Sequence, residues 1–162
     1  MSAYSFLDVQ ASIVGPGINA TIEGTPGSEQ VGSSAGVAKE GITVAYDEPK
    51  TTVTTGADGQ IMTNLHATQT GKVTIRLLKT SPVNAILSKA YASQRSSAAN
   101  WGQNTIVVTD VVRGDVAGGV QMAFEKFPDN TWSEDGNVID WVFIGLVNDN
   151  LGPGLPGLSA AA

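Results

Sequence analysis

Alternating apolar and polar residues predict that most of this chain forms half-buried β-strands. Between residues 6 and 14, Leu7, Val9 and Ile13 lie on one side of an extended chain and polar residues lie on the other. Strand-like runs return at 41–46, 51–55, 61–65, 72–79, 105–112, 120–127 and 138–147. An Asp58-Gly59 pair favours a tight hairpin turn between the strands at 51–55 and 61–65. The pattern therefore predicts seven or more strands, with a meander in the middle of the chain.

One amphipathic helix is predicted over about residues 82–95. Ser81 is a suitable N-cap, and Pro82 suits the first helical position. Apolar residues then recur at helical spacing on one stripe: Val83, Ile86, Leu87, Ala90 and Tyr91. Because strands precede and follow a single helix, we expect a mainly β fold, an antiparallel β-sandwich or barrel with this helix alongside.

Glycine and proline mark two segments as irregular. Residues 15–41 contain seven glycines and two prolines, which favours an irregular excursion or a loose hairpin that contributes no core. Residues 148–162 form a Gly/Pro-rich tail after a single β domain that we assign to residues 1–147. The polar segment from Asp47 to Lys50, interrupted by Pro49, suits a turn or an exposed loop tip.

Composition narrows the classes of function. Charged residues are only 15% of the chain, which is sparse for the surface of a soluble monomer and favours a surface covered by partners. The net charge of −6 argues against a phosphate-binding surface. The chain has no cysteine, no stretch long enough to span a membrane and no signal-like N-terminus, so we expect assembly in the cytoplasm.

The residues needed for catalysis or metal binding do not come together in the sequence. His66 is the only histidine, and it falls at a strand end or turn with no evident nucleophile to activate. The acidic pairs Asp110 with Asp115 and Glu134 with Asp135 lie beside turns, where solvated acids are common. We therefore expect no enzyme activity, no cofactor and no metal site.

Three tryptophans admit a carbohydrate-binding interpretation, because exposed coplanar aromatic rings stack on sugars. Trp141 lies in an apolar strand and is predicted to be a core residue. Trp101 and Trp132 lie near loops, where they could equally be anchors of a subunit contact.

Five collinear motifs between about residues 4 and 147 carry a family resemblance: YSFLDV at 4–9, GITV at 41–44, GADG at 56–59, LLKTSPVN at 77–84 and QNTIVV at 103–108. With these motifs the chain resembles the tail-tube proteins of contractile-tailed bacteriophages, a family of virion structural proteins. Residues 17–38 and the tail after 148 lie outside the resemblance.

The resemblance implies six subunits per ring and rings stacked into a hollow virion tube that conducts DNA during ejection. Implied partners are further copies of the chain and the sheath, baseplate and tail-terminator proteins, with no membrane and no specific DNA binding. In this setting Asp47, Glu48, Pro49 and Lys50 are candidate contacts between rings. Six residues are candidates for facing the lumen: Thr51, Thr52, Thr54, Thr63, Thr68 and Thr70.

Two alternatives remain open at the level of the sequence. Within the resemblance, the chain could be another virion part, such as a capsid decoration or tail-completion protein. Outside it, the chain could be a monomeric carbohydrate-binding β-sandwich. Oligomeric state separates them, because only a tube subunit should form sixfold rings or long cylinders.

Overall fold

The computed structural model of the protein describes residues 4, 9–18, 28–32, 37–110 and 112–154. Within these residues it contains nine strands and one helix. The elements, in chain order, are β1 (Val9–Val14), β2 (Ser28–Gly32), β3 (Val37–Tyr46), β4 (Thr51–Thr55), β5 (Ile61–Leu65), β6 (Thr70–Leu78), α1 (Val83–Arg95), β7 (Asn104–Asp110), β8 (Asp115–Phe124) and β9 (Val138–Asn150). The predicted strand residues 6–8 and the predicted tail residues 155–162 lie outside the described residues.

Seven of the described strands form one antiparallel sheet in the order β2-β1-β7-β8-β9-β6-β3. The two edge strands, β2 and β3, are joined by residues 33–36, a connection that spans at most about 18 Å. A flat sheet of this width would separate its edges by roughly 29 Å. The sheet must therefore curl, and Cα atoms of β2 and β3 do approach within 8 Å. The result is a curled antiparallel half-barrel, and the predicted mainly β fold is confirmed.

The core fills the inside of this curl. Alternate residues of β6 are buried, namely Val73, Ile75 and Leu77, because every second side chain of a strand points to the same face. Helix α1 packs on that face through Val83, Leu87 and Ala90. We call this face the inner face and the opposite one the outer face. Phe124, Trp141 and Phe143 add an aromatic group to the core, and Tyr91 and Trp101 pack against it. Phe127 is 43% exposed and contacts Tyr91 and Trp141 at the edge of this group.

A buried pair of side-chain amides joins the helix to the sheet. Gln94 Nε2 donates to Asn104 Oδ1 at 2.8 Å, and Asn104 Nδ2 donates back to Gln94 Oε1 at 2.9 Å. Gln94 also donates to the carbonyl of Pro16, and Asn104 donates to the carbonyl of Met122. Because both side chains are fully buried, these bonds offset the loss of their hydration.

Several boundaries differ from the sequence-based expectation; β3 begins at Val37 rather than 41, and β8 begins at Asp115 rather than 120. Residues 15–41 were expected to contribute no core residues, yet Ile18 and Ala38 are buried. This stretch also contains β2, which pairs with β1. Helix α1 begins at Val83, one residue later than predicted, although the Ser81 hydroxyl does accept the Val83 amide hydrogen at an N···O distance of 3.3 Å. Strand β9 continues to Asn150, beyond the predicted domain end at 147, because its last residues pair with the start of β8.

Candidate functional site

Strands β4 and β5 form a separate two-stranded hairpin that projects from the half-barrel. Nine of its ten strand residues are exposed and Asn64 is half-buried. At the base, the His66 amide donates to the Lys50 carbonyl, and Lys50 Nζ donates to the Thr68 carbonyl. At the tip, Gly59 adopts a φ of 86°, a conformation that glycine reaches without steric cost. The Asp58-Gly59 turn predicted from the sequence is therefore present.

The hairpin has two chemically different faces. Residues directly opposite one another share a face, and the register pairs Thr51 with Leu65, Val53 with Thr63 and Thr55 with Ile61. We call this surface the apolar hairpin face, defined by Val53, Ile61 and Leu65 and their threonine partners. Leu65 is 83% exposed and Ile61 is 66% exposed. Large apolar side chains this exposed on one strand pair indicate a surface that packs against another molecule.

The other side, the polar hairpin face, carries Thr52, Thr54, Met62 and Asn64. Asn64 Nδ2 lies 3.4 Å from Thr54 Oγ1 and also donates to the Thr52 carbonyl. The Thr52 hydroxyl lies 3.0 Å from His66 Nε2. These cross-strand bonds hold the hairpin together on the side that has no large branched apolar residue.

The six threonines predicted to face a lumen do not share one surface. Thr52 and Thr54 lie on the polar hairpin face, whereas Thr51 and Thr63 lie on the apolar hairpin face. Thr70 begins β6 on the outer face of the main sheet, and Thr68 lies in the link before it. The alternation of a strand pair therefore allows only part of this set to line any single wall.

The four predicted inter-ring residues form the link between β3 and the hairpin. Asp47, Glu48 and Pro49 are exposed, and Lys50 is half-buried, with its ammonium group donating to the Thr68 carbonyl. The Asp47 amide donates to the Thr70 carbonyl, which continues the β3–β6 ladder by one bond. These residues thus set the direction in which the hairpin leaves the barrel.

The outer face of the sheet contains a second apolar surface that was not predicted from the sequence. Val107, Val116, Val120 and Leu146 lie there on three adjacent strands and are between 40% and 49% exposed. We call these four residues the outer-face patch. They border a depression of about 710 Å³. The period-2 pattern signals such residues, but only strand order shows that they are neighbours.

The outer face around β6 and the first half of β9 carries charged side chains, together with the exposed apolar pair Leu78 and Val138. Lys72 Nζ lies 3.5 Å from Glu125 Oε1, and Arg76 Nη1 donates to the Thr43 hydroxyl at 2.9 Å. The outer face is therefore divided into a charge-bearing half and an uncharged half that contains the outer-face patch.

The structure supports no catalytic or metal-binding arrangement among the residues it describes. No group of three or more His, Asp or Glu side chains there could hold a metal ion. Asp110 accepts the amide hydrogens of Val112 and Arg113, and Asp115 forms an ion pair with Arg113. Both acids of this predicted pair therefore stabilise the β7–β8 turn.

The tryptophans are not arranged as a three-ring sugar platform. Trp141 is buried, as predicted, and its Nε1 donates to Asn84 Oδ1 at 2.9 Å. Trp101 packs edge-on against Tyr91. Trp132 is exposed in the β8–β9 loop, where the Lys79 ammonium lies 4.8 Å from its ring centroid. None of the helices in the described ranges is long and apolar enough to cross a membrane.

Residues 1–152 match the family model described as bacteriophage PhiTE tail tube protein. The chain belongs to this family. Membership in the tail tube family makes it a structural component of a phage tail and places it in the virion. The resemblance inferred from the sequence motifs is confirmed.

A solved structure supports the same fold. The chain is similar to the sheath/tube terminator of the extracellular contractile injection system PVC, determined in its extended state by cryo-electron microscopy. The TM-score is 0.51 at 14% sequence identity, with 93% of this chain and 98% of the other covered. No curated protein sequence matches the chain. At this identity the likeness establishes the fold, a curled antiparallel half-barrel.

Proposed function

We propose that this tail tube family member forms hexameric rings that stack into a hollow cylinder, through which DNA passes during ejection. The observation that carries the proposal is the projecting hairpin, with exposed Val53, Ile61 and Leu65 on one face and no charged residue in either strand. The chain acts as a structural subunit and performs no catalysis.

Elementary energetics explain why such a hairpin needs a second copy of the chain. A two-stranded hairpin that packs on nothing is at best marginally stable in water. Burying one Val, Leu or Ile side chain contributes about 1.5–3 kcal/mol, so docking three of them is strongly favourable. In an assembly of identical subunits, every hairpin finds the same acceptor surface on a neighbour.

We place the polar hairpin face toward the lumen, with Thr52 and Thr54 as lining residues. Uncharged hydroxyls bind no phosphate ion pairs, and the net charge of −6 repels a polyanion across the water-filled channel. DNA then moves through the tube without specific binding.

The remaining contacts follow from the position of the hairpin base. Asp47, Glu48, Pro49 and Lys50 lie where the hairpin leaves the barrel, so we assign them to the contact between stacked rings. The sheath surrounds the tube, the baseplate and the tail terminator contact its two ends, and assembly takes place in the host cytoplasm. No cofactor takes part.

Negative-stain electron microscopy of the purified protein across a concentration series tests the proposal. We expect hollow sixfold rings or cylinders whose fraction rises with protein concentration. Monodisperse monomers at every concentration would overturn it. Trimers would favour a capsid decoration protein instead, and glycan binding by a monomer would favour the carbohydrate-binding alternative.

A further inference from the structure

We propose that the apolar hairpin face of one subunit packs on the outer-face patch of a neighbouring subunit. The inference rests on the proposed function, because it names the two surfaces that join subunits in the tube. The occupant of the patch is therefore a second copy of this chain.

The absence of charge is the first observation that pairs these surfaces. The chain carries nine Lys or Arg and fifteen Asp or Glu residues, yet none of them lies in β4 or β5 or lines the outer-face depression. Burying a charged group without a partner costs several kcal/mol, so two uncharged surfaces can meet without that penalty. The charge-bearing half of the outer face, with Lys72 and Arg76, is a poor acceptor by the same reasoning.

Dimensions are the second observation. The five paired positions of the hairpin extend about 17 Å, and the segment of β8 from Val116 to Val120 is also five residues long. The patch is three strands wide, which accommodates the two strands of the hairpin in the way that two sheets pack face to face.

Cysteine cross-linking tests the contact cleanly, because the natural chain has no cysteine. Val53→Cys and Val120→Cys are prepared separately, mixed under assembly conditions and treated with a short bismaleimide. We expect a covalent dimer in the mixture. Thr54→Cys mixed with Val120→Cys is the matched control and should give at least about tenfold less dimer, because neighbouring strand residues point to opposite faces.

A charge substitution provides a second readout. Val53→Asp would bury an unpaired carboxylate and should raise the protein concentration needed for assembly by more than about tenfold, whereas Thr54→Asp should not. Equal cross-linking of both pairs, or equal assembly of both Asp variants in a background where the natural chain forms rings, overturns this contact alone. If the natural chain itself never assembles, the proposed function fails and the contact fails with it.

Discussion

At the scale of single residues, Gln94 and Asn104 show how this fold accommodates buried polar groups. Each amide donates to the other, and the remaining amide hydrogens reach the carbonyls of Pro16 and Met122. Gln94 lies in α1, Asn104 in β7 and Met122 in β8, and Pro16 lies just after β1. A single matched pair therefore fixes how the helix sits in the half-barrel.

Replacing Gln94 with methionine tests this arrangement, because methionine has a similar volume but no amide. Asn104 then loses its two bonds to Gln94 while remaining buried, and the partly buried Pro16 carbonyl loses its donor. We expect the free energy of unfolding to fall by about 2–3 kcal/mol, measured by urea denaturation of the monomer at low concentration.

Gln103→Met is the matched control, because Gln103 is exposed and just before β7. The control should change the free energy of unfolding by less than about 0.5 kcal/mol. An equal effect of both substitutions would mean that the buried amide pair adds nothing specific to stability.

At the scale of elements, the hairpin is separable from the fold. The main core cluster consists of residues from the seven-stranded sheet, helix α1 and the segment after β1, and none of its described members comes from β4 or β5.

Replacing residues 51–65 with a short Gly/Ser linker should therefore leave the unfolding midpoint of the monomer within a few degrees, while ring formation is lost. Circular dichroism melting and analytical ultracentrifugation measure the two effects. A deletion variant that still forms rings would contradict the role given to the hairpin.

Sequence pattern located most elements but not their spatial relations. The hairpin was predicted because Asp58-Gly59 separates two strand-like runs, and the helix because Ser81-Pro82 precedes an apolar stripe. Strand β2 was missed because SEQVG has one apolar residue and no alternation, so it is recognisable only by its pairing with β1. The lumen candidates were chosen as threonines, and only the register of β4 with β5 separates Thr51 and Thr63 from Thr52 and Thr54.

At the scale of the whole molecule, the half-barrel separates three tasks. The inner face and helix α1 hold the core. In the proposed assembly, the uncharged half of the outer face receives a neighbouring copy, and the hairpin extends the contact beyond the barrel. Because donor and acceptor surfaces differ, the contact is heterologous, and its repetition closes into rings or continues as a filament. A subunit of a tail tube requires this kind of interface.

The lumen assignment leads to a prediction for the assembled tube rather than the subunit. Thr54→Lys adds one positive charge per subunit on the polar hairpin face, which we place toward the lumen. Tubes of this variant should retain short double-stranded DNA at low salt and release it as salt rises, because each phosphate contact releases a counterion. Natural tubes should retain none. Ser133→Lys, on the exposed β8–β9 loop, is the control, and fluorescence anisotropy of labelled DNA is the measurement. If the two lysine variants retain equal amounts of DNA, the polar hairpin face does not line the channel.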